Sequence, residues 1–168
     1  LTCLDAWRPG VIPDIAVADG LRAVRWPGRL QRLSSGPLVD RISEGWELWL
    51  DGGHNAAAGE ALAAVVADWG TAPLHLIFGM LDSKKPVDFL RPLAKRVRYL
   101  HAVTIPGEEA NFSAEKVVDA AKSLGITAGA AEDVGAAIAA ILGTTNEPSR
   151  ILICGSLYLA GQVLAENV

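Results

Sequence analysis

The segment from Asp51 to Asn55, with the sequence DGGHN, places three chemically capable side chains within five residues. Asp51 supplies a carboxylate that can accept hydrogen bonds from ligand hydroxyls, and His54 can take up or release a proton near neutral pH. The two glycines between them allow a tight bend and a close approach of a ligand to the backbone. The same residues also fit a structural role, in which Asp51 or Asn55 caps the following helix. The segment alone leaves both interpretations open.

Apolar runs and helical patterns alternate along the chain and place this segment between a strand and a helix. The predicted strands are the continuous apolar runs 46–50, 74–80, 98–105 and 150–154, with a weaker candidate at 126–130. The predicted helices cover 56–69, about 86–97, 113–124, 132–142 and about 157–166, and Pro92 should shorten the second of them. Continuous apolar strands are typical of strands buried on both faces. We therefore expect an α/β fold with a Rossmann-like, mostly parallel sheet and helices on both faces.

Two further polar side chains follow predicted strands. Lys84 comes after the strand at 74–80, and Ser156 comes after the strand at 150–154. The carboxyl ends of parallel strands meet at one edge of a sheet, where ligands of open α/β folds bind. We therefore expect Lys84 and Ser156 to converge with His54 on one pocket. The alternative is structural, with Lys84 as a solvated loop lysine and Ser156 as a helix N-cap.

The composition favours one globular domain and argues against several classes of protein. The 168 residues are 51% hydrophobic and carry a formal net charge of −4, so the sequence offers no basic field to hold nucleic acid. No apolar run reaches the length of a membrane span, and the N-terminus lacks a signal-peptide pattern. We expect a soluble, cytoplasmic protein with neither a nucleic-acid nor a membrane partner.

The cysteines and the other histidines show no metal-ligand spacing. Cys154 lies in an apolar run, where a buried and inert thiol is expected, and Cys3 is far from it in sequence. His75 and His101 lie in apolar strand-like runs, so we expect core or strand-edge histidines rather than ligands. No residue is assigned to a metal site.

Phosphate-binding motifs are absent from the sequence. The chain has no Gly-Lys dipeptide, hence no G-x-x-x-x-G-K-[ST] loop, and no G-x-G-x-x-G follows a predicted strand. The chain also begins at Leu1, and its only methionine is Met80. We expect a fragment of a longer protein that does not hold a nucleoside triphosphate by itself.

Four short motifs follow one another along the chain: WPGRL at 26–30, DGGHN at 51–55, GMLDSK at 79–84 and GSLYLAG at 155–161. Together they resemble the C-terminal domain of the folylpolyglutamate and dihydrofolate synthases, a branch of the Mur ligase family, over about residues 24–166. The resemblance implies that 24–168 form a C-terminal glutamate ligase domain. It also implies that 1–23 are a linker or the tail of a missing N-terminal ATPase domain, which carries the P-loop.

The resemblance further implies an ATP-dependent ligase that adds L-glutamate to dihydropteroate, a folate or both, through an acyl phosphate. Arg29 matches the family's arginine at the terminal phosphates of ATP. Asp51 matches the aspartate directed at the nucleotide, and Asn55 lies nearby as a helix cap and second ATP contact. His54 matches the motif histidine near the phosphate and the incoming glutamate, where it would serve as a catalytic residue.

The same resemblance assigns the glutamate site and the cofactor. Lys84 and Ser156 match positions that hold the carboxylates of the incoming amino acid, together with His54. Mg²⁺ is implied, with its ligands on the missing N-terminal domain. The sequence departs from the family at Lys85, where an acidic residue is frequent, and this change adds positive charge to the loop.

Two other functions remain open from the sequence. The chain could be a free-standing Rossmann-like domain that binds a small metabolite without catalysis. Ser156, His54 and Asp51 could also form a hydrolase triad, although CGSLY lacks the G-x-S-x-G elbow of such enzymes.

Overall fold

The computed structural model of the chain describes residues 2–167 and contains one mixed sheet within that range. Its strands are β1 (Gln31–Leu33), β2 (Glu47–Leu50), β3 (Leu74–Phe78), β4 (Val97–Ala102), β5 (Ala128–Ala130) and β6 (Arg150–Cys154). They lie in the order β1-β2-β6-β3-β4-β5, with β1 antiparallel to β2 and every other neighbouring pair parallel. The predicted mostly parallel sheet is confirmed.

The helices are α1 (Thr2–Trp7), α2 (Asp14–Ala23), α3 (Ala56–Ala67), α4 (Pro86–Leu90), α5 (Ala114–Ser123), α6 (Val134–Thr144) and α7 (Leu157–Glu166). Helices α3 to α7 connect or follow the strands from β2 onwards and cover the sheet, whereas α1 and α2 precede β1. No helix in the described part of the chain is long and apolar enough to cross a bilayer.

Two clusters of buried side chains lie on opposite faces of the sheet. On one face, Phe89 of α4 and Val117 of α5 pack in the same cluster as Leu76 and Leu152 of the central strands. The other cluster joins α6 and α7 to the remaining strand side chains, including Ile77, Ile151 and Ile153. The alternation of side chains along β3 and β6 therefore supplies both cores, and the prediction of helices on both faces is confirmed.

The predicted start of α5 agrees with its N-cap, whereas α6 begins at Val134 instead of the predicted 132. Ser113 accepts a hydrogen bond from the backbone N–H of Lys116 at 3.4 Å and starts α5. The helix predicted over about 86–97 is shorter in the structure. α4 ends at Leu90, and a 3₁₀ turn that contains Pro92, Arg91–Leu93, leads towards β4, as expected for a proline inside a helix. The predicted end of α6 before Gly143 is wrong, since the helix continues through Gly143 to Thr144.

The sequence did not predict two features near the N-terminus. The segment expected to be a linker or a tail contains α1 and α2, and no residue of α2 is buried. β1 also went unpredicted, because three residues at the sheet edge carry too little periodicity to be recognised. The domain boundary at residue 24 stays a prediction.

Cys154 and Cys3 are both free thiols. Cys154 is buried at the end of β6, and burial, with the nearby charge of Asp51 as a smaller cause, raises the pKa of its thiol well above the usual value. The expected buried thiol is confirmed, and a thiol that stays protonated is a poor nucleophile.

Candidate functional site

The DGGHN turn, residues 51–55, begins at the carboxyl end of β2. The backbone N–H of Asp51 donates to Ile153 at 2.9 Å, which extends the parallel pairing one residue beyond the strand. The side chain of Asp51 then accepts from the N–H of Gly53 at 2.7 Å, and Asn55 accepts from the N–H of Ala58 at 2.9 Å. Asn55 is therefore the N-cap of α3, and Asp51 stabilises the turn before it.

The two glycines of this turn lie in crowded surroundings. A Cβ atom on Gly52 would collide with the side chain of Leu157 at the start of α7. A Cβ atom on Gly53 would collide with Ala58 and with the carboxylate of Asp51. The absence of side chains thus lets α3 and α7 begin close together at the same edge of the sheet.

His54, Lys84 and Ser156 converge on one pocket of about 260 Å³ at this edge. We call it the lysine pocket. Its other lining residues are Leu81, Ser83, Gly155, Leu157 and Tyr158. Lys84 is the only lining side chain with a full charge at neutral pH, and no carboxylate lines the pocket, so the pocket favours an anionic ligand.

Ser156 and His54 have defined hydrogen-bonding roles in the lysine pocket. The Ser156 hydroxyl accepts from the N–H of Tyr158 at 3.1 Å and caps α7, so its own proton is left to donate. His54 Nδ1 lies 3.3 Å from the carbonyl oxygen of Gly52. Because a carbonyl only accepts, this contact needs the proton on Nδ1 and leaves Nε2 of a neutral ring with a lone pair.

Arg29 and Asp51 line a second pocket of about 250 Å³, which lies against α3 and is called the arginine pocket. Leu30, Ala58, Ala61, Leu62 and Val65 complete its lining. Arg29 is exposed, and Gly28 beside it has φ +66°. The structure thus groups Arg29 with Asp51 and groups Lys84 with Ser156 and His54, whereas Asn55 lines neither pocket.

The contacts of Asp51 and His54 argue against a hydrolase triad. The two carboxylate oxygens of Asp51 accept from the backbone N–H groups of Leu30 and Gly53. The Nδ1 atom of His54 faces the Gly52 carbonyl instead of a carboxylate. A triad needs the acid to orient the histidine, so this alternative loses its geometric basis.

The described residues contain no group of three or more His, Cys, Asp or Glu side chains arranged to hold a metal ion. No residue in 2–167 is assigned to Mg²⁺.

The family model described as "Mur ligase, glutamate ligase domain" matches residues 28–157. The chain belongs to the Mur ligase family. Over 162 residues it is 26% identical to a probable bifunctional folylpolyglutamate synthase/dihydropteroate synthase of Halobacterium salinarum, covering 90% of this chain and 17% of that protein. Over 159 residues it is 28% identical to the dihydrofolate synthetase of Saccharomyces cerevisiae, covering 88% of this chain and 36% of that protein.

Solved structures of Mur ligase relatives share the fold. The folylpolyglutamate synthase of Mycobacterium tuberculosis complexed with ADP matches with a TM-score of 0.80 and 24% identity, over 96% of this chain and 37% of that chain. The bifunctional folylpolyglutamate synthase/dihydrofolate synthase of Yersinia pestis complexed with AMPPNP and Mn ion matches with a TM-score of 0.75 and 25% identity, over 98% and 37% respectively. The chain spans between a sixth and about two fifths of the length of these relatives.

Sequence reasoning missed Leu157 and Tyr158 in the lysine pocket of this Mur ligase domain. Their side chains are 45% and 55% exposed, and both line the pocket directly after Ser156. Only their place in the sequence could have indicated this role. Both residues lie at the start of the helix that follows β6, and the start of such a helix lies at the same sheet edge as the end of the strand.

A second polar cluster of the Mur ligase domain lies away from both pockets, on the α6 face of β3 and β4. His75 is 3% exposed and His101 is 7% exposed, which confirms the expected core positions. Both ring nitrogens of His75 and Nδ1 of His101 lack hydrogen-bond partners among the described residues. Burial, followed by the positive charges of His101 and Arg98, lowers the pKa of His75 to about 4. Burial also lowers the pKa of His101.

Proposed function

We propose that this chain is the glutamate-adding domain of an ATP-dependent ligase that joins L-glutamate to dihydropteroate, to a folate or to both. The observation that carries the proposal is the lysine pocket, where three residues from three separate motifs meet. The family match and the names of the relatives support the same reaction. A free-standing metabolite-binding domain is the competing function, and the experiments below distinguish the two.

The chemistry required of the lysine pocket follows from the glutamate substrate. Glutamate arrives with two carboxylates, and its amine must stay free to attack an activated acyl group. Lys84 supplies a cation and Ser156 a hydroxyl donor, and the N-terminus of α7 adds backbone N–H groups with a favourable dipole. His54 lines the same pocket, where a neutral ring can accept a proton from the ammonium group of glutamate and so leave a neutral amine that attacks the acyl group.

The nucleotide side of the reaction is assigned to the arginine pocket. ATP would supply the phosphoryl group that turns a carboxylate into an acyl phosphate, and Arg29 provides a planar, permanently charged donor for its terminal phosphates. Asp51 and Asn55 belong to the same nucleotide edge, and Asn55 also caps α3. Mg²⁺ is proposed as the accompanying ion, with its ligands in the P-loop domain.

The remaining partner is proposed to be the N-terminal P-loop domain of the same protein. Ile15 and Leu21 of α2 are 65% and 66% exposed, and Trp26 is 71% exposed. An apolar surface of this kind is unusual for a free domain and suits contact with another one. The complete ligase is proposed to act in the cytoplasm.

The decisive experiment measures kinetics in the full-length protein that carries this chain. Lys84→Ala and Ser156→Ala are expected to raise the KM for glutamate at least tenfold and to leave the KM for ATP within about twofold. Arg29→Ala is expected to raise the KM for ATP instead. Lys85→Ala is the matched control, because Lys85 is exposed and does not line the lysine pocket. Equal effects of Lys84→Ala and Lys85→Ala would contradict the glutamate site.

A second experiment separates the ligase domain from a self-contained protein. The purified 168-residue chain is expected neither to hydrolyse ATP nor to ligate glutamate, since it has no P-loop motif. Steady ATP turnover by this chain, abolished by Ser156→Ala, would refute the assignment as one domain of a two-domain ligase. Tight binding of a small metabolite without ATP-dependent ligation in the full-length protein would favour the competing function.

A further inference from the structure

A groove of about 500 Å³ lies between the end of α6 and the strands β3, β4 and β5. We call it the histidine groove. Its polar and apolar walls include His75 of β3, Arg98, Tyr99 and His101 of β4, and Ala140 and Thr144 of α6. It is larger than the lysine pocket and the arginine pocket, and it shares no lining residue with either. A cavity of this size is typical of a site for a small molecule.

The two histidines of the groove carry hydrogen-bonding atoms without partners. Both ring nitrogens of His75 and Nδ1 of His101 are buried, and none of them has a hydrogen-bond partner within residues 2–167. An unpaired buried polar group costs about 1–3 kcal/mol, so native proteins pair nearly all such groups. Two unpaired histidines on neighbouring strands of one groove therefore indicate atoms that another molecule completes.

The charges around the groove favour an uncharged ligand. Burial lowers the pKa of both imidazole rings, so both are neutral at pH 7. A neutral imidazole has one N–H donor and one lone pair, hence its partners must include an acceptor and a donor. Arg98 is the one charged side chain among the described lining residues, and it pairs with Glu147 at 3.6 Å on the surface. The partial negative charge at the C-terminal end of α6 offsets the positive charge of Arg98 further.

The flat side chains of the groove favour a planar ligand. The ring centroids of Tyr99 and His101 lie 4.5 Å apart, with 39° between the ring planes. Gly129 of β5 leaves room for this arrangement, because a Cβ atom there would lie 2.6 Å from the hydroxyl oxygen of Tyr99. Ala130 and Ala140 add only methyl groups to the lining. An aromatic ligand can pack against such a surface, since aromatic rings attract one another at these distances.

We propose that the histidine groove binds an uncharged, planar heteroaromatic ring that carries hydrogen-bond donors and acceptors along its edge, as nucleobases do. The imidazoles of His75 and His101 donate to and accept from the edge of this ring, and Tyr99 packs against its face. The site lies apart from the lysine and arginine pockets and does not rest on the proposed function.

Saturation-transfer difference NMR on the full-length protein that carries this chain tests the proposal with uracil as the probe. Uracil is expected to bind saturably. Dimethyluracil, in which both ring N–H groups are methylated, keeps the ring and its acceptors but has no donor. It is expected to bind at least tenfold more weakly, because a site built from hydrogen-bonding groups rejects a ligand that leaves them unpaired.

Variants of α6 locate the binding site. Ala140 is exposed and lines the groove, so Ala140→Phe adds bulk there without entering the core, and it should weaken uracil binding at least tenfold. Ala139→Phe is the matched control, because Ala139 is the preceding exposed alanine of α6 and does not line the groove. Its uracil affinity should stay within about twofold of the wild type. His75→Leu, which removes two of the unpaired nitrogens, should also weaken binding at least tenfold.

The other outcomes overturn the proposal. Equal binding of uracil by the wild type and Ala140→Phe would place the ring at another site. Equal binding of uracil and dimethyluracil would remove the hydrogen-bonding role of the histidines, and a preference for benzoate would show an anion site. If neither uracil nor cytosine binds, the histidines are completed by ordered water only. Each of these results leaves the glutamate kinetics of Lys84→Ala, and with them the proposed function, unaffected.

Discussion

His75 should make the stability of the domain fall in mild acid. Its folded pKa of about 4 lies below the unfolded value of 6.5, so the unfolded chain binds more protons between these values. Stability from this residue is therefore complete above pH 6.5 and is lost as the pH falls towards 4. The physical reason is that a charged ring at this position would be buried beside His101 and Arg98 with no acceptor.

The expected loss of unfolding free energy follows from the folded and unfolded pKa values of His75. Between pH 7 and pH 4.5 the linkage relation gives a loss of about 2.5 kcal/mol from His75. We expect about 2 kcal/mol, because the groove that His75 and His101 line admits water and weakens the burial effect. Arg98 moderates the charge further, since it pairs with Glu147 at 3.6 Å on the exposed surface.

Urea unfolding followed by tryptophan fluorescence at pH 7 and pH 4.5 measures this loss. His75→Leu removes the titrating ring and keeps an apolar side chain of similar volume in β3. Its free energy of unfolding should fall about 2 kcal/mol less than that of the wild type over the same pH range. Identical pH dependence in wild type and His75→Leu would refute the reasoning.

Three further predictions concern packing, capping and reactivity. In thermal denaturation, Gly59→Ala should lower the free energy of unfolding by at least about 2 kcal/mol, because its Cβ would collide with the backbone of Phe89. Gly143 has open space around it, so Gly143→Ala should raise the free energy of unfolding by about 0.5–1 kcal/mol. Asp133→Ala removes the acceptor that caps α6 at 2.7 Å and should cost about 1 kcal/mol in urea unfolding, with Asp68→Ala near zero as control. Ellman's reagent at pH 8 should label Cys3 rapidly and Cys154 only after denaturation, so two fast-reacting thiols in the native chain would contradict the buried site.

Several features of the fold and site were predictable because they depend on local sequence. The continuous apolar runs around Leu76 and Leu152 indicate strands covered on both faces, and the structure buries both residues completely. Ser113 and Asn55 start helices because their side chains accept backbone N–H groups within the next turn. The meeting of Lys84 with Ser156 follows from strand direction, since both lie beyond the carboxyl ends of parallel strands.

The features that escaped prediction depend on contacts distant in sequence. The positive φ of Leu30 is held by Asp51, 21 residues away, and leucine gives no local sign of it. The pairing of β1 with β2 likewise needs a partner strand, since a three-residue segment has no pattern of its own.

The glycine contacts of the turn set a limit on how this domain can be recombined. A Cβ atom on Gly52 would collide with the side chain of Leu157, and a Cβ atom on Gly28 would lie 3.3 Å from that of Ala160. The WPGRL, DGGHN and GSLYLAG motifs therefore pack closely against one another in the folded domain, although they are distant in the chain. A chimaera that takes one of these motifs from a relative inherits a surface shaped for the relative's other two. Crossover points that keep 26–161 intact should yield folded hybrids, whereas crossovers between the motifs should fail unless the facing residues are exchanged together.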